Sequence, residues 1–150
     1  TIGKDLYRTN NIKNKHKQAH MQAAHIYAKC STALRLNVGA LIVKDDRIIS
    51  IGYNGMPSGW DNVCEDENNK SRPEVLHAES NAIAKLARSS ESGEGSSIFI
   101  THSPCLDCAK MIYQSGIKQV YYSHEYRSTD GVDFLKKCNI TVEQLSVEES

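Results

Sequence analysis

Residues 98–122 read IFITHSPCLDCAKMIYQSGIKQVYY, and this stretch decides the fold. Ile98 to Thr101 is a short apolar run that predicts a buried strand. Pro104 can open a helix, because the N–H that proline lacks has no partner at the first helical position. Gly116 can end that helix, and Val120 to Tyr122 predict the next strand. A strand, a helix and a strand in this order indicate a crossover between parallel strands.

The segments before this unit predict a helix and a β-hairpin. Val38 to Val43 and Ile48 to Tyr53 read as strands, and Asp45-Asp46 supplies the turn that joins them into an antiparallel pair. Upstream, residues 16–32 have apolar side chains at helical spacing. The residues that this spacing puts on one face are Ala23, Ile26, Tyr27 and Cys30.

The rest of the chain supplies two more helices, a strand and a long loop. Residues 55–75 contain several Pro, Gly and Asn residues and predict a loop, and a loop of this length is more often functional than idle. A helix is predicted from Ala78 onward. Thr129 or Asp130 can cap a last helix, and residues 140–145 predict the final strand.

The predicted order of elements is α-β-β-α-β-α-β-α-β. Helices between strands imply crossovers and parallel pairing, whereas the hairpin strands pair antiparallel. We therefore expect an α/β fold with one mixed five-stranded sheet flanked by helices. A length of 150 residues, without an internal repeat or a linker, predicts a single domain, residues 1–150.

The composition predicts a soluble protein without a nucleic-acid or membrane partner. Hydrophobic residues make up 39% and charged residues 24%, which is ordinary for a globular protein. No apolar run approaches the roughly 20 residues that span a bilayer, and no signal peptide pattern opens the chain. The 18 basic and 18 acidic residues balance, whereas proteins that hold nucleic acids usually carry a basic surplus. We expect a cytoplasmic protein.

Cys105 and Cys108 point to metal or redox chemistry. The chain has five cysteines, an odd number that fits a disulfide framework poorly. At this spacing in the first turn of a helix, both sulfur atoms face the same side. The partial positive charge of a helix start also favours the thiolate, which is the form that binds metals.

His77-Ala78-Glu79, at the start of the second helix, completes a candidate metal site. One imidazole and two thiolates make a three-ligand zinc site whose fourth position is open to water, as in catalytic zinc sites. Zinc lowers the pKa of such a water to roughly 7. Glu79 can then accept and return protons. The order H-x-E and then P-C-x-x-C is the signature of zinc-dependent nucleobase deaminases.

Other interpretations of these residues stay open. Cys105 and Cys108 could form a redox pair, or a structural zinc site could close with Cys64 or His102 as the fourth ligand. The histidine and glutamate of the H-A-E segment could simply stabilise a helix start. Cys64 is also the candidate for a second metal site. Surface or packing positions are expected for His16, His20, His25, His102 and His124, and core positions for Cys30 and Cys138.

Over residues 38–126 the chain resembles the deoxycytidylate deaminase family, within the cytidine deaminase-like superfamily. The motifs H-A-E and P-C-x-x-C are shared by all relatives, whereas GYNGMPSG at residues 52–59 is more particular to this family. Further matching segments are VGA at 38–40, HAESNAI at 77–83, SPCLDCAK at 103–110 and QSGIK at 114–118. The resemblance implies the cytidine deaminase-like three-layer sandwich.

The resemblance also implies roles for individual residues. The implied zinc ligands are His77, Cys105 and Cys108, and the implied catalytic proton shuttle is Glu79. Substrate contacts are implied for Asn54 with a sugar hydroxyl, for Ala78 and Ser103 with the base through backbone groups, and for Tyr126 in the pocket wall. Relatives often carry arginine where Cys30 stands, which leaves Arg35 as the candidate for phosphate contact.

The activity that the resemblance implies is zinc-dependent hydrolytic deamination of dCMP to dUMP and ammonia, which supplies dUMP for thymidylate synthesis. The implied assembly is a homohexamer that dCTP activates and dTTP inhibits, with Mg²⁺ on the triphosphates. Gly52, Tyr53, Gly55 and Gly59 are the candidate effector-binding residues, because glycines let backbone N–H groups approach phosphate closely. A tRNA adenosine deaminase and a zinc-binding module without turnover are the alternatives.

Overall fold

The computed structural model describes residues 12–147, which form four α-helices and five strands in the predicted order. These elements are α1 (Asn14–Ala28), β1 (Gly39–Lys44), β2 (Arg47–Tyr53), α2 (Ala78–Ala87), β3 (Ser97–His102), α3 (Leu106–Gln114), β4 (Gln119–His124), α4 (Asp130–Lys137) and β5 (Thr141–Gln144). No helix among the described residues is long and apolar enough to cross a membrane. The predicted domain, residues 1–150, extends past the described residues at both ends.

The five strands form one sheet in the order β2-β1-β3-β4-β5. β1 pairs antiparallel with β2 and with β3, whereas β3, β4 and β5 run parallel. The predicted mixed sheet of an α/β fold is therefore confirmed. The helix between β2 and β3 predicted that these strands pair, but β1 lies between them. β1 occupies the position beside β3, so the connection through α2 passes over β1 to join β2 to β3.

The turn between β1 and β2 is as short as predicted. Asp45 and Asp46 have φ angles of 52° and 60°. A two-residue hairpin turn of type I′ requires positive φ at both central residues, and aspartate tolerates this conformation better than most residues. The turn therefore fixes the register in which Lys44 faces Arg47.

Helices cover both faces of the sheet, so the fold is a three-layer sandwich. α2, α3 and α4 pack on one face, where the core includes Ile98 and Ile100 of β3. α1 packs on the other face, where the core includes Phe99. Successive residues of β3 thus enter opposite cores, as the pleat of a strand requires.

The predicted apolar face of α1 agrees with the structure in part, because Ala23 and Tyr27 are partly buried against the core. Its buried residues are Met21, Ala24 and Ala28, whereas Ile26 is 61% exposed. Residue size, rather than hydrophobicity, decides which side chains of α1 face the sheet. α1 crosses β1 so closely that a side chain at Gly39 would collide with the backbone of Ala24 and Ala28.

The two cysteines that were expected in the core differ in their surroundings. α1 ends at Ala28, and Cys30 lies past its end and is exposed, which corrects both the predicted helix end and the predicted burial. Cys138 is partly buried and packs against the core of the α2–α4 face. The prediction therefore holds for Cys138 in part.

The ends of the later helices lie close to their predicted positions. α3 begins at Leu106 with Cys105 as its N-cap residue, so Pro104 precedes the helix instead of opening it. Gly116 has φ of 90°, the left-handed conformation that ends helices, and confirms the predicted stop. Thr129 is the N-cap residue of α4.

Candidate active site

Two helix starts on the same face of the sheet bring three metal-binding side chains together. His77 is the N-cap residue of α2, and Cys105 is the N-cap residue of α3. Cys108 lies in the first turn of α3, so its sulfur faces the same side as that of Cys105. α2 packs beside α3, and the two helix starts therefore meet.

The three side chains fit a zinc ion. Nδ1 of His77 lies 3.6 Å from Sγ of Cys105 and 3.3 Å from Sγ of Cys108. Tetrahedral zinc with Zn–N and Zn–S bonds of about 2.0 and 2.3 Å holds its nitrogen and sulfur ligands about 3.5 Å apart. The distances match, and one imidazole with two sulfurs is a donor set that catalytic zinc sites use.

No fourth protein ligand joins this group within residues 12–147. It is the one group there of three or more His, Cys, Asp or Glu side chains whose ligand atoms converge, and it includes neither Cys64 nor His102. A closed structural site with either residue is therefore not supported. Cys64 is buried and contacts Oγ1 of Thr32 at 3.5 Å, so the predicted second metal site around Cys64 also lacks a set of ligands.

The two thiols hold their protons unequally. Hydrogen bonds from Cys108 and His77 lower the pKa of Cys105 to about 4. The pKa of Cys108 is raised, first because it hydrogen-bonds to Cys105 and second because it is buried. Cys105 is therefore a thiolate at neutral pH, and metal binding has to displace the proton of Cys108.

Glu79 lies beside this group in the first turn of α2, and it is only 5% exposed. Burial raises the pKa of its carboxyl group to about 7, against the attraction of the positive charge on His77. A carboxyl group with a pKa near 7 can both accept and donate a proton at neutral pH. Glu79 therefore has the properties of a general acid and base.

A cavity of about 1070 Å³ opens over these residues, with His77, Glu79 and Cys105 in its wall. All of the predicted substrate-binding residues also line it, namely Arg35, Asn54, Ala78, Ser103 and Tyr126. The structure thus brings them to one cavity with the predicted catalytic residue and two of the predicted metal ligands. Their contacts with a substrate stay predictions.

Two of these side chains are held in place by backbone groups. Oδ1 of Asn54 accepts a hydrogen bond from N of Val38 at 2.8 Å, and its Nδ2 donates to O of Leu36 at 2.7 Å. An amide has two lone pairs and two N–H bonds, so each end of Asn54 keeps one position for a substrate. Oγ of Ser103 accepts from N of Tyr126 at 2.7 Å and thereby fixes the start of the loop after β4.

The glycines of the predicted effector-binding segment have different environments. A side chain at Gly52 would collide with the backbone of α2, so this glycine has a packing role. N of Gly55 donates to O of Leu76 at 3.1 Å and is already used. Gly59 has φ of 87° and open space around its Cα. O of Tyr53 accepts a hydrogen bond from Asn81.

Sequence reasoning missed several residues of the cavity wall. His102 and His124 were expected at surface or packing positions, but both line the cavity, and so does Arg127. His102 and His124 occupy paired positions at the carboxyl ends of β3 and β4. The carboxyl ends of parallel strands are where α/β folds bind ligands, which is the signal that could have identified these histidines.

Residues 13–124 match the sequence profile described as the cytidine and deoxycytidylate deaminase zinc-binding region. Among solved structures, the dCMP deaminase of cyanophage S-TIM5 in complex with dCMP and dUMP is similar, with 48% sequence identity and a TM-score of 0.88. That similarity covers 90% of this chain and 100% of the phage chain.

Two further relatives extend the comparison to cellular proteins. The ComE operon protein 2 of Bacillus subtilis is 38% identical over 137 residues, covering 88% of this chain and 72% of that protein. The deoxycytidylate deaminase of Saccharomyces cerevisiae is 34% identical over 139 residues, covering 86% of this chain and 44% of the yeast protein. The chain thus spans less than half the length of the yeast enzyme.

Proposed function

Because the chain belongs to the cytidine and deoxycytidylate deaminase family, it is a zinc-dependent deaminase, and we propose that its substrate is dCMP. The reaction consumes one water molecule, replaces the 4-amino group of cytosine by oxygen and releases dUMP and ammonia. We further propose that residues 1–150 form one dCMP deaminase domain, which acts in the cytoplasm and supplies dUMP for thymidylate synthesis.

The observation that carries this proposal is a buried carboxylic acid in the wall of a cavity, beside one imidazole and two thiols whose ligand atoms converge. General acid–base catalysis needs such an acid within reach of the reacting atoms. A zinc-binding module without turnover has no need of it. The similarity over 90% of this chain to a phage enzyme bound to dCMP and dUMP supports the choice of nucleotide.

His77, Cys105 and Cys108 would hold the zinc ion. Bound there, zinc supplies a Lewis acid that makes a water molecule acidic enough to lose a proton near neutral pH. Three protein ligands leave one position for a small molecule, whereas a structural site is closed by a fourth.

Glu79 would make the proton transfers of the reaction. It accepts a proton from the attacking water and gives it to N3 of the ring, beside the carbon that carries the amino group. It then takes the proton of the new hydroxyl group and gives it to the amino group, which leaves as ammonia. One carboxyl group can serve both transfers because it ends each of them unprotonated.

The cavity wall offers groups for the rest of the nucleotide. We propose that Asn54 binds a sugar hydroxyl through the hydrogen-bonding positions that its backbone partners leave open. Ala78 and Ser103 would contact the base through their backbones, and Tyr126 would line the pocket. Arg35 would bind the phosphate, because it lines the cavity and takes part in no ion pair within residues 12–147.

Ammonia release tests the choice of substrate. The zinc-loaded protein should act on dCMP more efficiently than on deoxycytidine, because a phosphate dianion offers several charge-assisted hydrogen bonds. An adenine nucleotide and a tRNA serve as the other substrates. Equal efficiency with deoxycytidine, or faster turnover of the tRNA, would contradict the proposal.

We also propose that the protein is a homohexamer, activated by dCTP and inhibited by dTTP, with Mg²⁺ bound to the triphosphates. Gly59 is the position of the 52–59 segment that best suits a phosphate contact, because its surroundings are open. Opposite effects require the two triphosphates to favour different conformations. Light scattering and activity with each triphosphate, with and without Mg²⁺, test this. A monomer that ignores both nucleotides would overturn it.

A further inference from the structure

Three histidines from three different elements meet behind the cavity. The ring of His124, at the end of β4, lies 5.3 Å from that of His102, at the end of β3. His124 also lies 5.7 Å from the ring of His25 on α1, which it meets edge-on. His102 and His124 line the cavity, and His25 lies behind His124.

This histidine cluster (His25, His102 and His124) has hydrogen-bonding capacity to spare. Nε2 of His25 is buried and has no hydrogen-bond partner within residues 12–147. Nδ1 of His102 lies 2.9 Å from Oγ1 of Thr101. The hydroxyl of Thr101 can donate to a neutral imidazole or accept from a protonated one. His102 can therefore change its protonation state without losing this partner.

The surroundings of the cluster disfavour its protonated form. Burial, and then the proximity of His124, lowers the pKa of His25. Burial also lowers the pKa of His102, followed by the proximity of His124 and His25. An anion nearby would oppose this effect, because it favours the protonated imidazole.

The other charged groups of the cavity wall are compatible with an anion beside the cluster. Arg35 and Arg127 line the same cavity and are in no ion pair among residues 12–147. Arg72, in contrast, is held by Asp61 at 2.8 Å. Of the acidic residues in the wall, Glu65 accepts a hydrogen bond from N of Leu34 at 3.0 Å.

Two further acids line this cavity. Glu79 lies beside the metal ligands, and Glu125 follows His124 and raises the pKa of Tyr122 in addition to the effect of burial. Neither acts on the pKa of His25 or His102. The acidic residues of the wall therefore do not compensate a positive charge on His25 or His102.

We propose that His102 and His124, with His25 behind them, form the subsite for the phosphate group of the nucleotide, and that phosphate binding brings a proton onto this cluster. The proposal rests on the proposed nucleotide substrate. Its chemistry is a phosphate monoester dianion held by imidazolium groups, with Arg35 and Arg127 adding charge. The proton comes from solvent, and no covalent bond is made or broken.

The proposal has a definite pH dependence. A phosphate that favours the protonated cluster must bind more weakly as the pH rises through the pKa of the phosphate-bound cluster. KM for dCMP should therefore rise with pH in this range. The kinetics with deoxycytidine, which has no phosphate, should lack this component.

The histidine ring signals in NMR test the subsite directly, with inorganic phosphate as the probe. In the zinc-loaded protein, phosphate should raise the pKa of His102 by about one unit, the size expected for an opposite charge nearby. The signals of His16 and His20, which contact Asp46, serve as internal controls. dUMP should reproduce the shift, and deoxyuridine should not.

Two variants complete the experiment. His124→Gln should remove the phosphate-induced shift of His102 and raise KM for dCMP about tenfold, the loss of one hydrogen bond to a charged group. His16→Gln is the matched control and should change neither. Unchanged histidine pKa values in the presence of phosphate and dUMP would overturn the subsite, even if dCMP is deaminated. A shift with phosphate in a protein that does not deaminate dCMP would instead refute the proposed function.

Discussion

Two groups of side chains meet at the cavity, and the fold assembles them in different ways. The metal group is His77, Glu79, Cys105 and Cys108, and it comes from two helix starts, each a motif of three or four neighbouring residues. The cationic group is Arg35, His102, His124 and Arg127, and it comes from two loops and the ends of two strands. A local motif can be recognised in a sequence, whereas a group assembled by topology requires the order of the strands.

The largest effect is expected inside the metal group. Glu79→Gln keeps the size of the side chain and removes its ability to shuttle protons, so kcat should fall by about 10⁴-fold, the upper range for a general acid–base group. Zinc content should be unchanged, which metal analysis checks. Glu67→Gln, in the exposed loop, is the control. A loss below tenfold would show that Glu79 is not the shuttle.

Removing a ligand should break the metal group itself. Cys105→Ser should lose zinc and more than about 100-fold in activity, the upper figure for residues that merely support a ligand. Cys30→Ser changes an exposed cysteine outside the cavity wall and should retain both. Metal analysis of the two purified variants, with activity measured alongside, makes the comparison. Full zinc and full activity in Cys105→Ser would refute the assignment.

A single methyl group added to the scaffold beneath the metal group should lower the free energy of unfolding. Gly52→Ala places Cβ against the carbonyl of Ala78 and 2.6 Å from N of Ala82, so α2 must move. Overpacking of this kind costs about 1–3 kcal/mol of unfolding free energy. Urea denaturation measures it, with Gly55→Ala as a control that meets nothing within 4 Å. Equal stability of both variants would contradict the packing role of Gly52.

Substrate binding by the cationic group should depend on the position of the loop that carries Arg35. Glu65 is buried and accepts the N–H of Leu34, next to Arg35. Glu65→Ala removes this acceptor, so holding the loop in its position should cost about 1–2 kcal/mol more. KM for dCMP should therefore rise about tenfold, and kcat should be nearly unchanged. Glu65→Gln retains an oxygen and should recover most of the effect.

Steady-state kinetics separate this positioning role from general destabilisation. Glu67→Ala, two residues away in the exposed part of the same loop, should leave KM unchanged. If Glu65→Ala lowered kcat and left KM intact, the loop contact would act on catalysis rather than on substrate binding.

Outside both groups, changes should affect stability alone and only slightly. A hydrogen bond with His20 lowers the pKa of Asp46 in the hairpin turn. A depressed acid pKa gives stability that is present above the ordinary value near 3.9 and is lost as the pH falls through the folded value. Asp46→Asn tolerates the same positive φ and should cost less than about 1 kcal/mol at pH 6, since the pair is exposed. Urea unfolding at pH 6 and pH 3 should show that this difference becomes smaller in acid.

The sequence predicted the elements of the fold where local chemistry determines them. Asp45-Asp46 predicted the hairpin turn because few residues accept positive φ, and Gly116 predicted the end of α3 for the same reason. The metal group was predicted from two motifs. The buried face of α1 was only partly predicted, because its packing against Gly39 selects small residues, and hydrophobicity cannot show such a preference.

Apart from Arg35, the cationic group was missed because its members are neighbours only after folding. His102 and His124 are 22 residues apart and meet because β3 and β4 pair in parallel register. The sequence predicts that these strands are parallel, but not that these two positions share a register. His25 joins them from a helix on the other face of the sheet, which no spacing in the sequence indicates.

His77 and Cys105 are both N-cap residues, and neither side chain caps its helix. An ion bound by both residues is a removable cross-link between α2 and α3 across 28 positions of the chain. An ion that binds the folded chain and leaves the unfolded chain adds its binding free energy to the stability of the fold. The lifetime of the protein is then tied to the supply of zinc, because a molecule that loses its ion becomes easier to unfold as well as inactive.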